Sequence, residues 1–243
     1  MTGAPIIRGW RGPIRGEVDL ATVAPRELKI GTIIDKTLAV IERCSTVTLI
    51  YFVGLTVINA AIGYFALGMT APLQQVEMRL LQSLAGLICA YFFIDAMVRK
   101  TGLRSRTAGD AFLPFLGLYI VYTIGVVLGF VLIIFPGLYI MARWSISQPM
   151  LIARGDGPMQ ALGNSWEETE ENAFQILIVV LIFLVPTIAI SALCTLMLGQ
   201  ASVAGMIISQ VASSATSVLA LAMSVALYGL IVGTPQKMAA VFE

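Results

Sequence analysis

Long apolar segments separated by short polar ones dominate the hydropathy pattern of this chain. The apolar segments lie at 49–69, 78–98, 111–135, 136–153, 174–198 and 203–233. A run of about 20 apolar residues can cross the hydrocarbon core of a bilayer as a helix, which satisfies its own backbone hydrogen bonds there. The pattern therefore predicts an all-α fold, a polytopic membrane bundle of six transmembrane helices.

Amphipathic segments precede the predicted spans. Between residues 26 and 44, apolar side chains recur at helical spacing and charged side chains occupy the other side. The apolar members are Ile30, Ile33, Ile34, Leu38, Ile41 and Cys44. A second such segment starts at Pro158, which suits the first turn of a helix, and a shortened one begins near residue 107. The inward face of the second is predicted to contain Met159, Leu162, Trp166 and Ala173.

This arrangement predicts how the chain is organised. Residues 1–25 are rich in Gly, Pro and Arg without a sustained period, so we interpret them as a mobile cytoplasmic arm. We expect residues 26–243 to form a single membrane domain. We expect three transmembrane hairpins, each led by an amphipathic helix at the cytoplasmic surface, in units of about 26–98, 99–154 and 155–233. The three units would then be copies of one internal repeat; the alternative is that the segments are amphipathic by chance.

The distribution of basic residues predicts the topology. Seven Lys or Arg residues precede the first span, and four lie between residues 99 and 106. The connections after spans one, three and five contain none, which places both termini in the cytoplasm of a bacterial-type inner membrane. Arg79, at the start of span two, is the exception, because this topology places its positive charge on the outer side. If the short 136–153 segment is re-entrant instead, the acidic 156–171 loop becomes external.

Composition narrows the classes of function. The chain is 58% hydrophobic and 12% charged, with a mean hydropathy of +0.90 and a net charge of +1. It has no histidine, and its three cysteines are scattered singly. We therefore expect no catalytic triad, no metal site, no cofactor and no nucleic-acid partner.

Two ionisable residues, Arg143 and Asp95, lie inside predicted spans, where a charge needs a partner. Asp95 is one candidate partner for Arg143, but it lies near the cytoplasmic end of its span, so the pair would require snorkelling across much of a leaflet. Glu77, at the outer start of span two, is the competing candidate. Either Arg143 forms an ion pair or interfacial anchor that fixes the bundle, or it contacts a headgroup or substrate. Trp166 is expected to anchor the chain at the membrane interface.

Small residues predict close helix packing at two places. The Phe135-Pro136-Gly137 step is expected to be a tight turn, so that spans three and four form a close hairpin helped by Gly125 and Gly129. Span six carries two rows of small residues. They are Gly205, Ser209, Ser213 and Ser217, and Ala212, Thr216, Ala220 and Ser224. These rows indicate helix packing, with a polar permeation path as the alternative.

The segment from Pro136 to Asn172 resembles a known family. Its Pro-Gly pair, Arg-containing helix ending in a Pro, and later Ala-Leu and Ser-Trp pairs resemble the membrane-domain family named after glycerophosphoryl diester phosphodiesterase. The matching residues are Pro136, Gly137, Arg143, Pro149, Ala161, Leu162, Ser165 and Trp166. The resemblance covers the membrane part alone, because the phosphodiesterase activity of fused members belongs to a separate barrel. It therefore implies no enzymatic activity here.

These observations favour a non-enzymatic inner-membrane protein that organises or senses lipid, or docks a partner in the envelope. The expected partners are membrane lipids, anionic ones included, and a membrane protein or a second copy of the chain. A small transporter or channel built from hairpin repeats is the alternative, since span six is polar. An intramembrane enzyme is disfavoured because no base or metal would activate a serine.

Overall fold

A computed structural model describes residues 28–66, 69, 71–105, 111–198 and 202–233. All regular elements in these ranges are helices. The predicted arm at 1–25 and the start of the predicted middle lead-in segment lie outside the described residues.

The described helices follow one another with short connections. They are α1 (Ile30–Arg43), α2 (Ser45–Ala66), α3 (Pro72–Thr101), α4 (Phe112–Leu132), α5 (Ile134–Arg143), α6 (Ser147–Arg154), α7 (Pro158–Glu168), α8 (Ala173–Leu198) and α9 (Val203–Ile231), with a 3-10 turn at Glu170–Asn172.

Five of the described helices are long and apolar enough to cross a membrane. They are α2, α3, α4, α8 with the turn that precedes it, and α9. Their large apolar side chains are widely exposed on the outside of the bundle, as expected where lipid is the solvent. The prediction of an all-helical, multi-pass membrane protein is therefore confirmed for the described part of the chain.

The predicted fourth span, residues 136–153, is not one continuous helix. It forms α5, of 10 residues, and α6, of eight residues, with a break between them. Pro149 explains the break, because it has no N–H and its ring would clash with the carbonyl of Ser145 in a continuous helix. Pro149 is accepted in the first turn of α6, where that N–H would have no helical partner.

The chain reverses at Ile133, so the predicted turn at Phe135-Pro136-Gly137 is misplaced. Ile133 is extended, with φ −161° and ψ 150°, and α5 begins with the next residue. Pro136 and Gly137 belong to the first turns of α5. The third position of a helix tolerates proline because its N–H is not used, which is why the helix starts before Pro136.

Glycine allows α4 and α5 to approach closely. A Cβ atom on Gly129 would lie 2.8 Å from the Cα of Gly137, and one on Gly125 would lie 2.4 Å from the Trp144 ring. Both distances are too short for any larger residue without movement of a neighbour. Gly125 and Gly129, which were predicted to allow close packing, are thus the positions at which α4 contacts α5 and the residue after it.

Helix α9 occupies the centre of the bundle. It packs mainly against α8, α1 and α2, and it also contacts α3 and α6. Its second half is almost wholly buried, from Ala222 to Tyr228. The other large buried side chains include Phe93, Ile94 and Met97 of α3, so the core lies at the end of the bundle where α3 ends and α9 ends.

The amphipathic helices α1 and α7 bury part of their apolar faces against other helices of the bundle and leave the rest exposed. In α1, Ile33 and Thr37 are completely buried against the bundle, whereas Leu38, another member of the predicted apolar face, is 47% exposed. In α7 the buried face contains Ala161, Leu162 and Ser165. Met159, predicted to face inward, is 67% exposed because the buried face is rotated toward Ser165.

Candidate functional site

The break between α5 and α6 leaves the main-chain carbonyl of Arg143 without its helical partner. The N–H of Ser147, which a continuous α-helix would direct to it, bonds the carbonyl of Trp144 instead, at 3.2 Å. Two hydroxyl groups from α7 and the residue after it replace the lost bond. Ser165 donates to the Arg143 carbonyl at 2.8 Å. The Thr169 hydroxyl lies 2.9 Å from the same carbonyl and 2.7 Å from the carbonyl of Ser165, so its single proton is shared between the two acceptors.

The side chain of Arg143 is enclosed by aromatic rings. It is only 2% exposed, and its Cζ lies 4.6 Å from the centroid of the Trp166 ring and 5.8 Å from that of Tyr139. Both distances are within the range of a cation–π contact. Trp166, predicted as an interface anchor, therefore supports the guanidinium of Arg143.

One carboxylate approaches Arg143, and it is not a predicted one. Glu170 Oε2 lies 3.8 Å from Arg143 Nη2, and the Glu170 side chain is 76% exposed. This is too long for a direct hydrogen bond, and solvent screens so exposed a charge. Arg143 Nε and Nη1 are buried and have no hydrogen-bond partner among the described residues. The aromatic rings are therefore the closer and less screened support for the guanidinium.

The predicted partners of Arg143 lie elsewhere. Asp95 binds two other arginines, with Arg99 Nε at 2.8 Å and Arg104 also in contact. Asp95 thus fixes the end of α3 and the segment after it. Glu77 is exposed in the second turn of α3 and forms no ion pair with a described residue. The predicted Arg143–Asp95 and Arg143–Glu77 pairs are wrong, because the arginines that follow Asp95 reach it first and Glu77 faces outward.

Helical spacing contains a signal for the contacts that the sequence analysis missed. Tyr139 precedes Arg143 by four residues, and Thr169 follows Ser165 by four. Side chains at this spacing lie on the same side of a helix. Glu170 could not be singled out in this way from the four glutamates of its segment, because its approach to Arg143 depends on tertiary packing.

We call the group formed by Arg143, Trp166, Tyr139 and the hydroxyls of Ser165 and Thr169 the Arg143 centre. A cavity of about 280 Å³ lies beside it, between α4, α5, α8 and α9. Trp144 and Ser145, which follow Arg143 directly, line it together with Gln148. Both small-residue rows of α9 contribute to the wall opposite α5. The residues from α9 are Ser213, Thr216, Ser217, Ala220, Leu221, Met223 and Ser224. Every residue that lines the cavity is uncharged, and much of the remaining wall is apolar.

The hydroxyl groups of the cavity differ in how they are satisfied. Thr216 donates to the carbonyl of Ala212 at 3.1 Å and its oxygen also contacts the hydroxyl of Thr187. Ser217 donates to the carbonyl of Ser213 at 3.1 Å. The hydroxyls of Ser145 and Ser224 are buried and have no partner among the described residues. These two oxygens have almost no accessible surface, so they do not open onto the cavity. The cavity therefore has a largely apolar wall with a few hydroxyl side chains, and those of Thr216 and Ser217 are bonded to their own helix.

Trp144 connects the cavity to Arg143. Its ring centroid lies 6.4 Å from that of Trp166, which supports the guanidinium, and 6.0 Å from that of Tyr122 in the opposite wall. Trp166 thus contacts both Arg143 and the cavity wall. The Arg143 centre is suited to holding Trp144 in place, and with it the shape of the cavity.

A second recess, of about 570 Å³, lies where the 3-10 turn meets the end of α9. It is lined by Leu28, Glu167, Glu168, Glu170, Glu171, Asn172, Leu230 and Ile231. The Leu28 N–H donates to Asn172 Oδ1 at 2.7 Å, which joins the start of the described chain to this edge. Within the described ranges, no group of three or more Asp, Glu, Cys or His residues is placed to hold a metal ion.

Comparison of this chain with protein-family models, curated proteins and solved structures found no match in any of the three. The resemblance of the Pro136–Asn172 segment to the phosphodiesterase membrane-domain family accordingly stays a prediction.

Proposed function

We propose that this protein is a non-enzymatic inner-membrane protein that binds a membrane lipid and thereby organises or senses lipid. The cavity beside Trp144 carries this proposal, because it combines a largely apolar wall with the hydroxyl side chains of Ser213, Thr216 and Ser217 and opens on the outside of the bundle. Ligand pockets are mostly apolar with a few polar groups that fix orientation. A lipid has both kinds of surface.

Lateral access supports a lipid ligand. Ser213 and Ala220, at the edge of the cavity, are exposed on the side of α9. In a bilayer this side faces the acyl chains, so a lipid can enter without passing through water. The polar part of the lipid would occupy the cavity and its chains would remain in the hydrocarbon.

The chemistry of the lining does not favour catalysis. A serine needs a neighbouring base, a lowered pKa or a metal to become a nucleophile. The serines of this cavity are surrounded by uncharged side chains that cannot take a proton from them. A binding role needs no such group.

The proposal includes six membrane crossings with both termini in the cytoplasm. The supporting contact is the hydrogen bond of 2.8 Å from the Ser105 N–H to the Ala153 carbonyl. It places the end of α6 beside the residues that follow α3, so α5 and α6 together return to the end from which α4 starts. The uneven distribution of basic residues supports the orientation.

A small transporter is the second candidate, since Ser213 and Ser217, predicted as members of a polar path, line the cavity. Passage across the membrane requires access from both sides in turn. A lipid site needs only the lateral opening. The same variant tests both functions when lipid retention and solute flux are measured in parallel.

The experiment is lipid retention by the purified protein. We expect native mass spectrometry of the protein in mild detergent to detect one retained lipid in the wild type. Ala220→Phe should abolish the bound form, because the new ring occupies the cavity. Ala204→Phe places the same ring at an exposed position of α9 that does not line the cavity, and should retain the lipid.

Equal lipid retention by Ala220→Phe and the wild type would contradict the proposal. Loss of solute flux in reconstituted vesicles, with lipid retention unchanged, would favour the transporter instead.

A further inference from the structure

We infer that α8 opens and closes the cavity beside Trp144: the helix bends outward at Pro186, and the contact between the hydroxyls of Thr187 and Thr216 holds it closed. We call this bend and this contact the α8 gate. The inference rests on the proposed lipid-binding function and concerns how a lipid enters and leaves the same cavity.

The cavity is small for a lipid in the conformation that the structure shows. Its volume of about 280 Å³ is just under the range of pockets that enclose small ligands. Helix α8 forms one wall, from Val180 to Thr187. Outward movement of this wall would widen the cavity at the side where Ser213 and Ala220 are exposed, and a lipid could then enter from the bilayer.

Pro186 makes α8 easiest to bend at the level of the cavity. It lies near the middle of the helix, which extends from Ala173 to Leu198. Proline has no N–H for the carbonyl of Ile182, and its ring crowds that carbonyl, so a helix kinks preferentially at such a residue. The cavity wall of α8 ends at Thr187, directly after Pro186. A bend at Pro186 therefore moves this wall.

The packing of α8 leaves its middle free to move while both ends stay in place. All buried residues of α8 lie between Ala173 and Val179, where the helix starts. At its other end, Gly205 of α9 allows close approach, since a Cβ atom there would lie 3.4 Å from the Cβ of Leu198. From Thr187 to Leu198 every residue is at least partly exposed. The middle of α8 can therefore bow outward without loss of the buried contacts.

The two threonines form a contact that can break at little cost. Thr216 gives its proton to the Ala212 carbonyl at 3.1 Å, so its oxygen accepts from Thr187. Thr187 has an alternative acceptor in its own helix, the Phe183 carbonyl at 3.3 Å. Both hydroxyls would keep a partner if the helices separated, so opening leaves neither of them unpaired.

The first test measures how fast lipid leaves the protein. The lipid that co-purifies with the protein is followed by native mass spectrometry after dilution into excess lipid-free dodecyl maltoside micelles. Thr216→Val keeps the shape of the side chain and removes the hydroxyl, so release should become about three- to tenfold faster. Pro186→Ala restores an N–H for Ile182 and should slow release about threefold or more.

Thr195→Val is the matched control in α8, because the Thr195 hydroxyl bonds only its own helix and does not line the cavity. It should release lipid at the wild-type rate. Wild-type release by both Thr216→Val and Pro186→Ala would overturn the gate.

A disulfide provides a reversible lock, in a background with Cys89 and Cys194 replaced by alanine. Thr187→Cys with Thr216→Cys should form the bond on oxidation, because the hydroxyl oxygens of these residues are in contact. Oxidation should slow lipid release at least about tenfold, since it removes the open state, and reduction should reverse the effect. Equal release from the oxidised and reduced forms would contradict the gate.

Leu198→Cys with Gly205→Cys is the control for the lock. It joins the same two helices at the end that stays closed, where the two Cβ atoms would be 3.4 Å apart. Its oxidation should leave the release rate unchanged.

A distance measurement separates the gate from the proposed function. Spin labels at Ala189→Cys, one turn after Pro186, and at Val57→Cys of α2 occupy exposed positions. Pulsed electron paramagnetic resonance in dioleoylphosphatidylcholine nanodiscs should detect two distances, and Thr216→Val should increase the population of the one that Pro186→Ala suppresses. A single distance that neither substitution changes would overturn the gate even where lipid is retained. If Ala220→Phe retains lipid like the wild type, the proposed function falls, and the distances alone decide whether α8 bends.

Discussion

The hydroxyl of Ser165 donates a hydrogen bond of 2.8 Å to the main-chain carbonyl of Arg143, 22 positions earlier in the chain. This contact stabilises a helix break. Pro149 prevents a continuous helix, the break frees the carbonyl, and α7 supplies the donor that compensates. The broken helix, the buried arginine and the amphipathic α7 are therefore one structural unit.

The first prediction concerns the two hydroxyls at this carbonyl. Ser165→Ala should lower the free energy of unfolding by about 1 kcal/mol, because the Thr169 hydroxyl, which the Ser165 carbonyl also accepts from, can still direct its proton to the Arg143 oxygen. Ser165→Ala combined with Thr169→Val should cost more than the sum of the single changes, since a buried carbonyl then has no partner. Unfolding in detergent, followed by circular dichroism, measures these differences.

Thr195→Val is the matched control, because the Thr195 hydroxyl bonds only its own helix and is exposed. It should change stability by less than about 0.5 kcal/mol. Strict additivity of the Ser165 and Thr169 changes would show that their shared acceptor is not what stabilises the break.

The second prediction concerns the guanidinium of Arg143. Arg143→Ala should lower the yield of folded protein and its unfolding temperature, because it removes the group packed between Trp166 and Tyr139. Arg143→Lys should restore stability only in part, since an ammonium group lacks the planar surface that stacks on a ring. Size-exclusion chromatography after heating gives both quantities.

Arg79→Ala is the control for loss of an arginine, since Arg79 is exposed. Glu170→Gln should change stability by less than about 1 kcal/mol, because that carboxylate is exposed and screened. An Arg143→Ala variant as stable as the wild type that loses its retained lipid would contradict the structural role and assign Arg143 to lipid binding.

The third prediction concerns the contact of α4 with α5. Gly129→Ala should destabilise the protein by about 1–3 kcal/mol, because its Cβ would lie 2.8 Å from the Cα of Gly137 and main chain cannot move aside easily. Gly86→Ala, inside α3, meets no atom within 4 Å and should be neutral or slightly stabilising. Equal stability of the two variants would mean that α4 and α5 are not packed at Gly129.

Much of this fold could be predicted from local pattern. The long apolar runs predict helices α2, α3, α4, α8 and α9, because a membrane span depends only on the length and hydropathy of its own segment. Pro149 and Ser165 could be singled out from the sequence. That Ser165 compensates the helix break caused by Pro149 could not be predicted, since this depends on the path of the chain between them. The Arg143–Asp95 pair was wrong for a similar reason. Sequence shows that Asp95 needs a cation and does not show that Arg99 and Arg104 supply it.

The cavity could not be predicted from the small-residue rows of α9, for which the sequence left open close helix packing and a polar permeation path. Small residues at helical spacing permit both close packing and a gap, and the choice depends on the neighbouring helix. Here the break after Arg143 turns Trp144 and Ser145 toward the row that contains Ser217. No periodicity within α9 could reveal that.

The fourth prediction concerns the number of membrane crossings, tested by labelling single cysteines with a membrane-impermeant maleimide in intact cells. The background replaces Cys89 and Cys194 by alanine and keeps Cys44 as an internal negative control. Cys44 is buried, and burial raises the pKa of its thiol, although the charges of Lys100 and Arg43 act in the lowering direction. Because the thiolate is the reactive form, Cys44 should label slowly at neutral pH.

Reporter cysteines at Lys100, Gly157 and Ser202 then distinguish the topologies. If α5 and α6 together cross the membrane, Lys100→Cys and Gly157→Cys should both be protected from the external reagent, and Ser202→Cys should be labelled. This follows from the contact of Ser105 with Ala153, which places the end of α6 beside the end of α3. Labelling of Gly157→Cys with protection of the other two would mean that α5 and α6 do not return, leaving five crossings by the long helices. Labelling of both Gly157→Cys and Ser202→Cys would contradict a crossing by α8 itself.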